Sequence, residues 1–254
     1  MRILAIDTAL PAVSACVLDS DTEEPISAET IAMERGHAEE IMPLIERVMR
    51  KVEGGFSTID RVAVTVGPGS FTGIRIGLAA GQAIGLACKA DVVGVSTLAA
   101  LAAPLILEDF DGVAAAAIDA RHGKVYVAAF GPDGRALLTP RRAGAHEALR
   151  ALGDGPFLLI GSGAELLASE ARANGLAHKI VSERASPDIA YVARLGLAAR
   201  PDTAPARPLY LKEPDVTVAG KPQEAAPARS AEAGGDAAPE SPASEALASE
   251  PAQA

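Results

Sequence analysis

The sequence has no tryptophan, only eight other aromatic residues (three tyrosines and five phenylalanines), and two cysteines in 254 residues. Two cysteines are too few for a disulfide-rich secreted scaffold. Cys16 and Cys88 both lie in apolar stretches, so we predict buried thiols in a reducing compartment. The two thiols are not spaced as a CxxC pair, and no GxSxG nucleophile elbow is present. Disulfide scaffolds and serine hydrolases of that type are therefore not indicated.

Histidine is also scarce. No two of the four histidines are spaced i, i+4, so the sequence cannot form a zinc-binding helix motif. The four are His37, His122, His146 and His178. We predict neither a metal site nor a catalytic residue.

Basic residues are fewer than acidic ones, 23 against 33, for a formal net charge of -10. No basic patch stands out, which argues against non-specific nucleic-acid binding by this chain alone. Long uninterrupted apolar runs are missing as well, and Asp7 breaks the first one too early for a signal peptide. We therefore predict a cytoplasmic protein that does not contact a membrane.

What the sequence does contain is an unusual stretch at residues 62–89. An apolar, β-branched run typical of a buried strand is followed by a Gly67-Pro68-Gly69 turn. Ser70 can then cap a helix by accepting a backbone N–H. The carboxyl end of a strand and the start of a helix are thus predicted to meet at this turn.

Four glycines recur at every fourth position of that helix, namely Gly73, Gly77, Gly81 and Gly85. The spacing puts them on one side, although each costs about 1 kcal/mol of helix propensity relative to alanine. Some group must therefore approach the helix backbone closely. That group is either the chain's own sheet or a helix of a partner chain. A phosphate is a third alternative, which the missing Walker lysine disfavours.

The remaining pattern is that of an α/β protein with a duplicated lobe. Three strands are predicted over residues 2–9, 12–19 and 26–33. A helix over 37–52 follows, and its regular part begins nearer Pro43. A strand over 113–119 that ends in Asp119 weakly repeats the opening strand. We predict lobes at 1–108 and 109–218, and a disordered Ala/Pro/Glu-rich tail at 219–254.

Two aspartates that follow buried strands are the candidates for a nucleotide site, one in each lobe. Asp7-Thr8 belongs to the first lobe, and Asp119 with the Gly161-Ser162-Gly163 turn to the second. The glycines usual after such aspartates are absent here. Either the site is vestigial, or each aspartate only bonds the amides of its own turn, which is the interpretation that we favour.

Several segments together resemble the bacterial TsaB (YeaZ) family over about residues 1–218. They are IDTA at the start, RGHAEEIMPLI at 35–45, VGPGSFTGIRIGL at 66–78, GVST at 94–97, DARHGKVY at 119–126 and PLYLKEPD at 208–215. The GPGSFTGIRIGL segment is highly specific. The resemblance implies a two-lobed actin-like (ASKHA, ribonuclease H-like) fold.

The resemblance also implies a function. TsaB proteins are non-catalytic subunits that bind and activate the TsaD threonylcarbamoyltransferase, which forms threonylcarbamoyladenosine beside the anticodon of tRNAs reading ANN codons. TsaD's metal site uses an HxxxH pair, which this sequence lacks. No cofactor is implied for the chain itself, and ATP or ADP at the junction of the complex stays open.

The implied partners are a TsaD-type subunit in a heterodimer, a TsaE-type ATPase, a second copy when the chain is alone, and tRNA only through the complex. The predicted partner surface lies on the helices at 37–52 and 70–88. Its residues are His37, Ile41, Ile45, Val48, Gly73, Ile74, Gly77, Gly81 and Gly85. The alternative function is a stand-alone actin-like ATPase or small-molecule kinase that uses Asp7 and Asp119.

Overall fold

The computed structural model describes residues 1–106 and 111–211. The first half contains strands β1 (Arg2–Asp7), β2 (Ala12–Asp19), β3 (Ser27–Ala32), β4 (Arg61–Gly67) and β5 (Asp91–Ser96), with helices α1 (His37–Met49), α2 (Phe71–Cys88) and α3 (Thr97–Ile106). The second half contains β6 (Val113–Asp119), β7 (Lys124–Phe130), β8 (Ala136–Gly144), β9 (Phe157–Ile160) and β10 (His178–Ser182), with α4 (Ala145–Leu152), α5 (Ala164–Ala173) and α6 (Ile189–Ala198). A short 3-10 helix spans Gly55–Thr58.

Each half builds a five-stranded sheet with the same connectivity. The strand orders are β3-β2-β1-β4-β5 and β10-β9-β6-β7-β8. The central strand of each sheet, β1 or β6, pairs antiparallel with the next strand in the chain and parallel with β4 or β9. The predicted two-lobed α/β architecture is therefore confirmed, and the repeat is much clearer in the fold than in the sequence.

The helices of each half pack on that half's own sheet, except for one helix that packs on the sheet of the other half. Helices α1 and α2 pack on the first sheet, and α4 and α5 pack on the second. Helix α3, from the first half, packs mainly on β6 and β7, whereas α6, from the second half, packs on β1, β2 and β4. Each half thus supplies one helix to the other half's sheet.

Some sequence predictions need correction or fall outside the described residues. Strands β8 and β10 were not predicted, because β8 contains Pro140 and two arginines and β10 is only half buried. Helix α1 begins at His37 rather than near Pro43, which lies inside it. The predicted lobe boundary at 108/109 and the tail at 219–254 lie outside the described residues.

The two cysteines are free thiols, Cys16 buried and Cys88 half-buried. Burial raises the pKa of the Cys16 thiol to about 12. A thiol with so high a pKa stays protonated at neutral pH, so Cys16 acts as a small apolar core residue.

Within the described residues, one helix is long and apolar enough to span a membrane by length and composition. This is α2, with a mean hydropathy of 1.3 over 18 residues, 39% of them buried. Its seven buried residues are four glycines and three aliphatic side chains, and they contact the first sheet. The packing of α2 on that sheet accounts for the apolar composition of its inner side.

Candidate functional site

The glycine stripe of α2 faces the chain's own sheet. A Cβ atom at Gly73 would collide with the Thr8 carbonyl, and one at Gly77 would lie 2.5 Å from Thr8 Oγ1. At Gly81 and Gly85 the added atom would collide with valine side chains of β4 and β5. The prediction that these glycines contact a partner is thereby corrected: they let α2 lie close on the sheet, and Thr8 Oγ1 donates to the Gly73 carbonyl at 2.7 Å.

The aliphatic residues assigned to the partner surface are also part of the chain's own core. Ile41, Ile45, Val48 and Ile74 are each at most 2% exposed. Only His37 is half-buried, with its Nε2 atom 3.1 Å from the Leu10 carbonyl. The predicted residues therefore lie on helices α1 and α2 as expected, but all except His37 lie on their inner sides.

The outer sides of these two helices carry exposed apolar residues that the sequence analysis did not assign. Leu86 is 83% exposed and Met42 is 49% exposed. Three small residues, Ala79, Ala83 and Ala87, are also exposed along α2. We call these five residues the outer helix face.

An aromatic and cationic cluster lies at the N-terminal end of α2. The Arg75 guanidinium lies 3.7 Å from the centroid of the Phe71 ring, and Arg75 Nε donates to Tyr210 Oη at 3.0 Å. The Phe71 and Tyr210 ring centroids are 4.9 Å apart. Leu209 N also donates to the Val66 carbonyl, so the C-terminal part of the described chain is fixed beside the glycine turn.

Asp7, at the end of β1, is completely buried. Its Oδ1 accepts hydrogen bonds from the Thr65 hydroxyl at 2.5 Å and from Ala9 N at 3.0 Å. Its Oδ2 is buried and has no hydrogen-bond partner. Burial raises the pKa of the Asp7 carboxyl, and the bonds from Thr65 and Ala9 oppose that rise.

Asp119, at the end of β6, makes the same hydrogen bond to its turn as Asp7 but is exposed. Its Oδ1 accepts from Arg121 N at 2.7 Å, as Asp7 Oδ1 accepts from the amide two residues on. Its own N–H donates to Ser162 Oγ at 3.2 Å. Gly161 has φ +102°, and Gly163 N donates to the Ala117 carbonyl, which places the predicted Gly-Ser-Gly turn beside Asp119.

The predicted nucleotide-site residues lie in two turn clusters, one formed by Asp7-Thr8 with α2 and one by Asp119 with Gly161 and Gly163. Among the described residues, no three His, Cys, Asp or Glu side chains are grouped so that they could hold a metal ion. Mg²⁺ usually keeps several waters beside one or two carboxylates. The sealed carboxyl of Asp7 does not fit that arrangement.

Comparison of the sequence with known proteins identifies the family to which the chain belongs. A family model described as "TsaD: tRNA N6-adenosine threonylcarbamoyltransferase" matches residues 30–153. The tRNA threonylcarbamoyladenosine biosynthesis protein TsaB of Escherichia coli is 33% identical over 172 residues, which cover 64% of this chain and 72% of the relative. The chain belongs to the TsaB family. An uncharacterized protein of Mycobacterium tuberculosis is 32% identical over 84% of this chain and 92% of its own length.

A solved structure agrees with this assignment at the level of the fold. YeaZ from Pseudomonas aeruginosa superposes with a TM-score of 0.65 over 83% of this chain and all of that chain, at 23% identity. The predicted resemblance to the TsaB (YeaZ) family and its actin-like fold is confirmed.

Proposed function

We propose that this TsaB-family chain is a non-catalytic subunit in the formation of threonylcarbamoyladenosine in tRNA, and that it binds and activates a TsaD-type transferase. The relative from Escherichia coli is named for this biosynthesis. The match to the TsaD model over residues 30–153 includes α1 and α2. A partner with related helices can pack in a pseudo-twofold arrangement, and a second copy of this chain can replace it when it is absent.

The outer helix face is the surface that this proposal assigns to the partner. Large exposed apolar side chains such as Leu86 and Met42 favour protein interfaces, because burying them removes apolar area from water. The small side chains of Ala79, Ala83 and Ala87 let another helix approach α2 closely. The stacked Phe71, Arg75 and Tyr210 side chains border this face, and aromatic and arginine residues are enriched in binding hot spots.

A non-catalytic role agrees with the chemistry of the chain's polar sites. Asp7 is sealed from solvent and bonded to its own turn, and Asp119 bonds the amide of Arg121. In the described residues, neither aspartate belongs to a group of His, Cys, Asp or Glu side chains that could hold a metal ion. The transferase chemistry would then belong to the partner.

The test is light scattering after size exclusion, first with the chain alone and then mixed with the TsaD-type subunit of the same organism. We expect a homodimer that is replaced by a heterodimer. Leu86→Glu should weaken the heterodimer about 30-fold or more, as for the loss of an interface hot spot worth about 2 kcal/mol. Leu137→Glu is the matched control, since Leu137 is 57% exposed but lies on β8.

An unchanged affinity of Leu86→Glu, or an equal loss in both variants, would contradict this assignment of the interface. The proposal extends to a TsaE-type ATPase and to ATP or ADP bound at the junction of the complex. ATP turnover by the isolated chain that disappears in Asp7→Asn would instead support the stand-alone ATPase.

A further inference from the structure

Positive charge is concentrated in one part of this acidic chain. Residues 120–150 contain six basic residues (Lys and Arg) and two acidic ones (Asp and Glu). The whole chain has 23 basic and 33 acidic residues. This segment forms the β6–β7 turn, β7, β8 and most of α4. Within the segment these cations are separated along the sequence, which is why no basic patch stood out, and the pairing of β7 with β8 brings Lys124, Arg141 and Arg142 onto neighbouring strands.

The register of β7 and β8 defines the arrangement. Tyr126 lies opposite Arg142 and Lys124 opposite Gly144, so Lys124, Tyr126 and Arg142 point to one face of the sheet. Arg141 lies opposite Val127 and points to the other face of the same strand. Strand β8 ends the sheet, and Arg121 lies in the adjoining turn. We call Arg121, Lys124, Arg141 and Arg142 the cationic edge.

These four cations have no ionic partners within the described part of the chain. None is in an ion pair, whereas Arg2, Arg47, Arg50, Arg172 and Arg200 each pair with a carboxylate. Arg142 Nε is buried without a hydrogen-bond partner. Asp119, the nearest acid in the turn, accepts from the Arg121 backbone N–H. The positive charge of the edge is therefore available to a negatively charged partner.

The backbone of the turn supports a functional interpretation. Arg121 and His122 have φ values of 62° and 55°, a left-handed conformation that glycine adopts more readily than arginine or histidine. Non-glycine residues held in this region are concentrated at functional sites. Here the two residues form the turn between β6 and β7, in which Lys124 N donates to the Arg121 carbonyl at 3.2 Å.

We propose that the cationic edge binds the phosphodiester backbone of tRNA directly. This rests on the proposed function in tRNA modification and goes beyond it, since contact with tRNA was expected only through the complex. Lys and Arg side chains bind phosphates through charge-assisted hydrogen bonds and release condensed counterions. Tyr126, half-buried beside Arg142, adds an aromatic ring next to the charged groups.

The test measures tRNA binding by the complex of this chain with the TsaD-type subunit. An unmodified, labelled transcript of a tRNA that reads an ANN codon is titrated by fluorescence anisotropy at several salt concentrations. The double variant Lys124→Ala/Arg141→Ala removes two exposed cations of the edge and spares Arg142, whose Nε is buried. Lys179→Ala/Arg184→Ala is the matched control, because it removes two exposed cations at and beyond β10, the opposite edge of the same sheet.

We expect Lys124→Ala/Arg141→Ala to raise Kd about tenfold and to reduce the slope of log K against log salt by about 1 to 2. The control pair should change Kd less than twofold. Equal effects of both pairs, or no effect of either, would overturn the proposal.

The same titrations are repeated with the isolated chain, so that failure of the proposed function can be distinguished from failure of the proposal for the cationic edge. If light scattering shows no heterodimer, the proposed function fails. The cationic edge is still judged by the difference between the two double variants of the isolated chain. If the heterodimer forms but the two double variants bind tRNA equally well, the proposal that the cationic edge binds tRNA is wrong, while the proposed function stands.

Discussion

The two halves of the chain have one connectivity but differ in the helix that follows the glycine turn. In the first half α2 has 18 residues and four buried glycines. Its counterpart α5 has 10 residues and no glycine, and it buries Ala164, Leu167, Ala168 and Ala171 against the second sheet. The glycines bring α2 close to its sheet along its whole length.

The aspartates of the two halves differ in the same way. Asp7 and Asp119 make the same bond to the amide two residues on, yet Asp7 is sealed from solvent and Asp119 is exposed. The duplicated fold thus preserves this hydrogen bond, whereas the burial of the carboxyl differs. One half has been specialised for close packing and an exposed helix face, and the other for an open, cationic sheet edge.

The largest expected effect separates the inner and outer sides of α2. Gly77→Leu should destabilise the chain by about 3 kcal/mol or more, because its side chain must displace Thr8 and Val64. Ala79→Leu, on the exposed side, should change the free energy of unfolding by less than about 0.5 kcal/mol. Urea unfolding of both variants measures this, and similar losses would mean that α2 does not depend on its glycines to contact the sheet.

Replacing the glycine by alanine should destabilise the chain equally at the two glycine turns, because both turns need a glycine with positive φ. Gly67 has φ +108° and Gly161 has φ +102°, at the ends of β4 and β9, the strands that pair in parallel with the central strands. Replacement by alanine should cost about 2 kcal/mol at either position through backbone strain. Gly144→Ala is the control, with φ -65° and open space around the added atom. A loss at only one turn would show that the halves are not equivalent there.

The smallest effect concerns the pH dependence that Asp7 contributes. Because burial raises the pKa of folded Asp7, ionisation opposes folding as pH rises above the unfolded value of about 3.9. The wild-type chain should therefore lose stability relative to Asp7→Asn as the pH rises above about 4. Asp119→Asn should follow the wild type within about 0.5 kcal/mol. Denaturant unfolding at several pH values measures the curves, and parallel curves for Asp7→Asn would contradict the assignment.

The central strands could be predicted because they are short apolar runs bounded by turn residues. Strands β8 and β10 could not, because Pro140 and two arginines interrupt the apolar pattern of β8, and the five residues of β10 include His178, Lys179 and Ser182. The apolar arc of α1 predicted burial correctly. It could not show whether Ile41, Ile45 and Val48 face the chain's own core or a partner, since both need the same residues.

The polar and cationic sites depended on contacts that no local pattern contains. Arg75 meets Tyr210 across 135 positions of sequence, and Phe71 contacts the same tyrosine ring. The cationic edge depends on the register of β7 with β8, and β8 itself was not predicted. Asp7 could be selected because it ends a buried strand, but only the fold shows that its Oδ2 atom lacks a partner.

The exchange of α3 and α6 between the halves has a consequence for how the protein is made. Ile3, Ala5 and Cys16 lie in the cluster covered by Ile189 and Val192 of α6, so one face of the first sheet stays open until nearly 200 residues have been synthesised. Contacts between such distant segments form late and slow folding. The ribosome-bound nascent chain therefore exposes an apolar sheet face, which makes it a natural client for chaperones.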